Sequence, residues 1–297
     1  MTRARRSYAA VVVLHESRAE LAALLESLRG IDAPRLVVVD TGRDDGGAAL
    51  ARGHGAEVVV RRDNPGFGAA TNAGLERVSE DVAILLNPDT QALDDSLPRL
   101  AAIAREHPRA LHAPRLLDPD GSTQRSAHPL PGTLGAFIPA LIHPPLLPRA
   151  LSERAEPYRS RTPRTVGWAI AACLAAATDT LRRFPFDPAT HLYAEDMELC
   201  LRARSHGVPT VYHPQLALRH TGGHSINRAG EPHEALARRR REAIASTRGR
   251  GARRLDDAAQ LLTFATRAAV KRPNRRERAQ LEALLKQRDP GGPGSHM

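Results

Sequence analysis

Aromatic side chains are scarce: Phe, Tyr and Trp make up 3% of the 297 residues. A core must therefore rest on Leu, Val and Ala, and a hydrophobic content of 41% is enough for a sizeable one. Cysteine occurs only as Cys173 and Cys200, both in apolar or helical surroundings. That excludes a disulfide framework and a Cys-type metal site, and predicts reduced core thiols of a cytosolic protein. No apolar run approaches the roughly 18 residues of a membrane span. The opening Met1–Arg6 is basic, but the apolar run after it, Ala9 to Leu14, is short and meets His15-Glu16, so no signal peptide is expected. The balance of charge is +10, and most of it lies at one end: residues 228–297 hold 17 Lys+Arg against 8 Asp+Glu, the remainder 26 against 25. The basic character belongs to a tail, not to the body. The length fits one large domain, or one domain with an appendage.

Tyr8 to Leu14 is a continuous β-branched run of the kind found in buried parallel strands. Ser17 is placed to cap a helix over Arg18–Arg29, in which Leu21, Leu24, Leu25 and Leu28 fall at i, i+3, i+4, i+7. Strands are expected at Leu36–Val39, Ala56–Val60 and Val82–Leu86. Helices are expected through Ala48–Ala51, over Ala69–Val78 and over Leu93–Arg105. This alternation predicts a parallel sheet covered by helices. Residues 129–165, rich in Pro and Arg, read as a long loop broken by short helices. The apolar run Val166–Ala177 follows, then a helix from Glu195 to Gly207 and strands at Thr210–Tyr212 and Leu216–His220.

The chemistry-bearing residues stand at strand ends and helix starts. The strand Val82–Leu86 stops at Asn87-Pro88-Asp89, where an open α/β sheet binds ligands. A carboxylate there can hold a divalent cation, or the tripeptide can simply turn the chain. Asp40 ends another strand, with a ribose contact and an Asx-turn as its two readings. Gly66-Phe67-Gly68 leads into a helix N-terminus that suits phosphate. Trp168 is either core or a stacking face for a sugar. Glu195, Asp196 and Glu198 crowd one first turn, more acid than a cap requires. His220 ends a strand just before Gly222-Gly223, where imidazole is a competent metal ligand.

In order and at ordinary spacing from Tyr8 to Ser225, these residues resemble the family 2 glycosyltransferases of the GT-A fold, in particular the bacterial rhamnosyltransferase-like branch. The elements that carry the resemblance are V-V-V-D-T-G at 37–42, N-P-G-F-G-A-A-T-N-A-G at 64–74, L-L-N-P-D-T at 85–90, L-L-D-P-D-G-S at 116–122, V-G-W at 166–168, L-Y-A-E-D-M-E-L-C-L-R at 192–202 and H-T-G-G-H-S at 220–225. The resemblance implies an α/β GT-A fold with a mostly parallel central sheet flanked by helices. It also implies an inverting transfer of a hexose, rhamnose among the candidates, from a nucleotide-diphosphate sugar to an acceptor hydroxyl. Asp196 would be the base and Glu195 would orient sugar or acceptor. Asp40, Asn64, Gly66, Asn72, Asn87, Asp89 and Trp168 would contact the donor. Asp89 and His220 would hold a divalent metal, Mg2+ or Mn2+. The chain departs from the family where the first strand ends in Leu14-His15-Glu16-Ser17 instead of Thr-Tyr-Asn, and where Ile170-Ala171-Ala172 replaces Ser-Gly-Ala. The donor is thus left open among dTDP-, UDP- and GDP-linked sugars, and the acceptor between a lipid-linked and a small molecule.

The expected organisation is a catalytic domain over 1–227, its nucleotide half about 8–125 and its acceptor half about 126–227. A basic helical extension follows over 228–290, and 291–297 is a disordered tail or a remnant of cloning. Helices are expected at Glu234–Ala245, Leu255–Val270 and Arg275–Arg288. The run Arg238–Arg241 reads as a solvated face or as a contact with anionic lipid, which would place the protein in the cytoplasm or at the inner face of the cell membrane. Nucleic acid is disfavoured, because the extension has only Phe264 for stacking and no recognisable module. Two rivals stand beside the glycosyltransferase: a sugar nucleotidyltransferase, which would need a basic Gly-rich loop after the first strand, and a catalytically silent basic binding protein.

Overall fold

The computed structural model describes residues 8–141, 147–188, 194–222, 233–270 and 275–286. Met1–Arg6, Leu192-Tyr193, Gly223–Ser225, Arg288 and the segment 291–297, all singled out above, lie outside the described residues.

The first half of the chain builds the parallel part of the sheet. It runs β1 (Ala9–Leu14), α1 (Arg18–Ser27), β2 (Arg35–Asp40), α2 (Gly47–Gly53), β3 (Glu57–Val60), α3 (Phe67–Leu75) and β4 (Val82–Leu86). β1 pairs parallel with both β2 and β4, and β2 with β3. The strands form because their apolar residues serve both faces. Ala10, Val12 and Leu14 of β1 pack on one side with Leu21 and Leu24 of α1, while Ala9 and Val11 pack on the other with Leu75 of α3. Ser17 precedes α1 but makes no capping bond; its hydroxyl donates to the His15 carbonyl. Asp45 from the β2–α2 loop takes over, its Oδ2 accepting from the Arg18 N–H at 3.0 Å.

The second half adds β5 (Thr90–Ala92), α4 (Ser96–Glu106), β6 (Leu111–Leu117), β7 (Ala127–His128), α5 (Ile138–Leu141), α6 (Arg149–Ala155), β8 (Arg164–Val166), β9 (Trp168–Ala169), β10 (Cys173–Ala177), α7 (Thr178–Arg183), α8 (Glu195–Ser205) and β11 (Thr210–His220). The sheet order is β3-β2-β1-β4-β10-β6-β11-β5, with β8 on β11. β10 enters antiparallel between β4 and β6, so its N-terminal end lies beside the C-terminal end of β4. β11 is one long strand rather than two pieces. Its register against β6 shifts between His213 and Ala217, around Pro214, which cannot donate to the ladder. The run Val166–Ala177 breaks into three short strands, and β9 pairs with β7 in a separate small sheet. Leu97 and Leu100 of α4 are fully buried against the first face; such side chains contribute about 1.5–3 kcal/mol each. Both cysteines are free and buried, as the composition implies.

The basic extension forms α9 (His233–Val270), broken at Gly249 where φ is 85°, and α10 (Arg275–Lys286). It is no free tail. Ala243 and Ile244 of α9 are buried against Met197 and Leu201 of α8. Arg240 and Arg241, from the middle of the charge run, reach back across the Gly249 break to Asp256 and Asp257. No described helix is long and apolar enough to cross a membrane.

Candidate active site

Asp89 lies in the turn between β4 and β5. β5 pairs antiparallel with the end of β11, Thr90 opposite His220, and this brings carboxylate and imidazole together at one end of the sheet. His220 Nε2 stands 3.3 Å from Asp89 Oδ1. Asp89 Oδ2 accepts from the Gly222 N–H at 3.1 Å. On the other side of the ring, Nδ1 faces Gln124 Oε1 at 2.9 Å, and Gln124 Nε2 donates to Asp118 Oδ1 and the His220 carbonyl, each at 2.7 Å. The tautomer follows from this network. Asp118 and the carbonyl only accept, so Gln124 turns its oxygen to the ring and Nδ1 carries the proton. A neutral His220 then aims the Nε2 lone pair at a carboxylate oxygen that is buried and has no hydrogen-bond partner.

Two acceptors at that distance call for a cation between them. When the ring is protonated it supplies that charge itself: burial alone raises the Asp89 carboxyl, but the hydrogen bond and charge of His220 outweigh it and hold the group below the usual range. A divalent metal fits equally well, since two ligands about 2.1 Å from one ion at right angles lie about 3 Å apart. Among the described residues no third His, Cys, Asp or Glu completes a full protein cage. Such a set suits an ion that takes its other ligands from substrate phosphates.

Asp40 ends β2 opposite Leu14 of β1, two strands from β4. That is roughly 10 Å at the usual strand spacing. The Asp40 carboxylate is buried and engaged on both oxygens: Oδ1 by the Gly42 N–H at 3.2 Å, the Asx-turn geometry, and Oδ2 by Arg62 at 3.0 Å. Asn64 is exposed with φ of 42°, and Gly66 has φ of 89°, a conformation that favours glycine, just before α3. Asn72 is spoken for. Its Nδ2 donates to the Phe186 carbonyl at 2.8 Å and its Oδ1 accepts from the Phe186 N–H at 2.9 Å. The Asn87 N–H donates to the Ala172 carbonyl at 2.9 Å.

Glu195 and Asp196 open α8 after Ala194, which sits at φ 62°. Asp196 Oδ1 accepts from the Met197 N–H at 2.7 Å, and the Ala171 N–H also serves the carboxylate. Glu195 Oε2 is buried without a partner. Burial raises both carboxyls above their ordinary range, and the charge of Asp196 lifts Glu195 further. The pair faces a cavity of about 340 Å³ whose far wall comes from α9 and α10, through Ala237, Arg240, Phe264 and Leu284. Trp168 closes one side, stacked on His128 with ring centroids 3.9 Å apart and planes 10° from parallel. Burial takes the His128 ring down to about 3, so it is neutral.

The two halves of the site meet through Ile170–Ala172. Ala172 accepts from Asn87 beside the Asp89 turn, and Ala171 donates to Asp196. The structure thus brings Asp89, His220 and Asn87 within one backbone segment of Glu195 and Asp196, with Asp40 farther along the same sheet edge. Four participants have no signature in the sequence: Gln124, Arg62, His128 and Arg240. Each acts through a partner more than fifteen residues away, and only the fold makes those neighbours.

The family model described as "Glycosyl transferase family 2" matches residues 9–179. The N-acetylglucosaminyl-diphospho-decaprenol L-rhamnosyltransferase of Mycobacterium tuberculosis (strain ATCC 25618 / H37Rv) is 29% identical over 220 residues, 67% of this chain and 70% of that protein. Among solved structures, S. aureus TarS superposes with a TM-score of 0.53 at 16% identity, over 90% of this chain. The match spans 44% of the TarS chain, less than half its length. The mannosyltransferase PcManGT of Pyrobaculum calidifontis, in complex with GDP-Man and Mn2+, superposes with a TM-score of 0.56 at 13% identity, over 95% of this chain and 85% of that one. Likeness at these identities speaks to the fold.

Proposed function

The chain belongs to glycosyl transferase family 2, and from that membership we propose an inverting transfer of a hexose between a nucleoside-diphosphate donor, rhamnose-bearing or related, and an acceptor hydroxyl presented to Asp196. That the chain is a glycosyltransferase acting on nucleotide sugars follows from the family; the roles below are our reading. One observation carries it. A buried carboxylate–imidazole pair and a buried acid pair with raised proton affinity lie on either side of one three-residue segment, as a leaving group and an attacking group must.

Asp196 takes the proton of the acceptor hydroxyl. The acceptor oxygen then bonds to the anomeric carbon as the carbon–oxygen bond to the diphosphate breaks, and the nucleoside diphosphate departs with that electron pair. With one base and no second nucleophile assigned, displacement is in line and the configuration inverts. Glu195 keeps a proton more readily than an ordinary carboxyl, and its O–H donates a hydrogen bond to a sugar hydroxyl oxygen, orienting it. Asp89 and His220 would hold a divalent metal, which when bound neutralises charge on the departing diphosphate. Asn87 and Gly66 line the approach to the donor, and Trp168 offers a flat face to a sugar.

The name of the mycobacterial relative supports a lipid-linked acceptor for this chain and a rhamnosyl donor. Arg238, Arg250, Arg254, Arg275 and Arg278 are exposed on α9 and α10, and they support a peripheral contact with anionic lipid.

Thermal unfolding with UDP, dTDP, GDP, ADP or CDP, each with Mn2+, Mg2+ or EDTA, tests the donor site. One nucleotide is expected to stabilise the protein only with metal, and Asp89→Ala to remove that shift. A shift equal in EDTA, or one unchanged in Asp89→Ala, overturns the metal assignment.

A further inference from the structure

Behind Trp168 the cavity continues. A second compartment of about 440 Å³ shares Trp168, Arg240, Gln260 and Phe264 with the space in front of the acid pair. Its character differs. Where the first compartment is mostly apolar beyond its two carboxyls, the second is ringed by charges, and they are unequally partnered.

Glu156 is 6% exposed and is held from two sides, by Arg125 at 2.5 Å and Arg159 at 2.5 Å. Asp256 receives both Arg240 nitrogens, at 2.7 and 2.8 Å. Arg267 lines the same wall, half-buried, with no hydrogen bond or ion pair to any described residue. It feels Glu156 and Glu277 only at a distance, and burial together with the nearby Arg125 cation lowers its hold on its proton. Arg125, Arg240 and Arg267 line the compartment together with Glu156, Asp256 and Glu277, and of these three cations Arg267 is the one that no described residue engages. A half-buried guanidinium that no protein group engages is free to take an anion entering the compartment, and its planar fork matches phosphate oxygens. The volume is far larger than a lone carboxylate needs.

We propose that this compartment binds an anionic group of the acceptor, a phosphate or diphosphate ester next to the reacting sugar, with Arg267 and Arg125 as its cations. The sugar occupies the first compartment with its hydroxyl at Asp196, and the ester passes Trp168 into the second. This rests on the reading that the acid pair marks the acceptor hydroxyl.

The test is calorimetric and uses the full chain with inorganic pyrophosphate in EDTA. Wild type is expected to bind it saturably. Arg267→Gln weakens binding about tenfold or more, in line with loss of charged hydrogen bonds; Arg267→Lys keeps most of it, and Asp89→Ala leaves it unchanged. Equal binding by Arg267→Gln, or no saturable binding by wild type, overturns the proposal. Undecyl-diphospho-N-acetylglucosamine is expected to displace pyrophosphate, whereas the uncharged undecyl glycoside of the same sugar does not. Displacement by phosphatidylglycerol vesicles but not by the glycosyl diphosphate would assign the compartment to a lipid headgroup instead. The transfer reading fails separately, on full transfer by Asp196→Asn, whatever the pyrophosphate result.

Discussion

The ion pair between Arg240 and Asp256 joins the two parts of α9 across the Gly249 break, and replacing Arg240 with Met should be costly. Asp256 is 2% exposed and receives two guanidinium nitrogens at 2.7 and 2.8 Å. Methionine keeps much of the length and apolar bulk of the side chain but removes the charge, stranding a carboxylate in the interior. Breaking a buried pair from one side costs about 3–5 kcal/mol. Arg240 retains some exposure, so the lower end applies, about 3 kcal/mol. At about 2–4 °C per kcal/mol for a chain somewhat smaller than this one, the midpoint should fall by on the order of 6–12 °C. The converse variant, Asp256→Leu, leaves the charge on the partner that still reaches water and should cost less. The double variant Arg240→Met/Asp256→Leu should recover to within about 1 kcal/mol of wild type, because no charge is left unpaired. Urea unfolding of the four proteins, followed by near-ultraviolet circular dichroism, gives the cycle directly. A loss under about 0.5 kcal/mol in Arg240→Met would mean the pair behaves as a surface pair. A double variant less stable than Arg240→Met would mean packing, not charge, holds the helix. Either result refutes the reasoning.

Asp196→Asn should lower transfer by about 10²- to 10⁴-fold, as expected on loss of a general base, while leaving nucleotide-induced stabilisation intact. Because burial raises the pair above ordinary carboxyls, wild-type transfer should rise with pH along a limb displaced upward from the ordinary carboxylate range; a flat profile would count against a carboxylate base. His213 is 6% exposed, meets His112 at 3.0 Å, and is taken by burial down to about 4. Its folded value lies below the unfolded one of about 6.5, so its contribution is fully present above that pH and is lost as the pH falls towards the folded value. Unfolding measured at pH 7 and 4.5 should show on the order of 2–3 kcal/mol more acid destabilisation in wild type than in His213→Gln; equal losses would remove the residue from that role. Gly132 has φ of +67°, and a Cβ there would lie 2.3 Å from the Ala252 carbonyl. Gly132→Ala should destabilise by more than about 1 kcal/mol and speed proteolysis near 249–251; unchanged cleavage would show that α9 does not rest on this loop.

The parallel half of the fold is legible in the sequence because each strand is a short apolar run that ends in a turn. The end of such a strand is also where Asp40 and Asp89 were expected and where they stand. Legibility fails where a strand has no such run. β5 is Thr90-Gln91-Ala92, polar and three residues long, yet it is the strand that carries Asp89 to His220. The strands expected at Thr210–Tyr212 and Leu216–His220 are one, β11: the register shift around Pro214 absorbs the proline and the strand goes on. The charge run Arg238–Arg241 reads as a solvated face or a lipid contact. Composition cannot say that two of its members turn inward to Asp256 and Asp257, since those partners come from the next stretch of helix, brought alongside by the Gly249 break. For the same reason the sequence gives no sign that the extension walls the acid-pair cavity. Asp40 allowed an Asx-turn or a ligand contact; the turn is present, with Arg62 on the other oxygen, and the sequence holds no hint of Arg62.

The wall built by α9 and α10 also sets an order of events during synthesis. The sheet edge bearing Asp40, Asp89 and His220 is complete once the chain has passed Gly222, but the cavity before Glu195 and Asp196 stays open until Leu284 has been added. At roughly 5–20 residues per second, the interval is on the order of three to twelve seconds. Through it, on the roles proposed above, a nascent chain could hold a donor but could not enclose an acceptor beside Asp196. Emergence of α10, more than any earlier folding step, would then be the moment at which the acceptor side of the site closes.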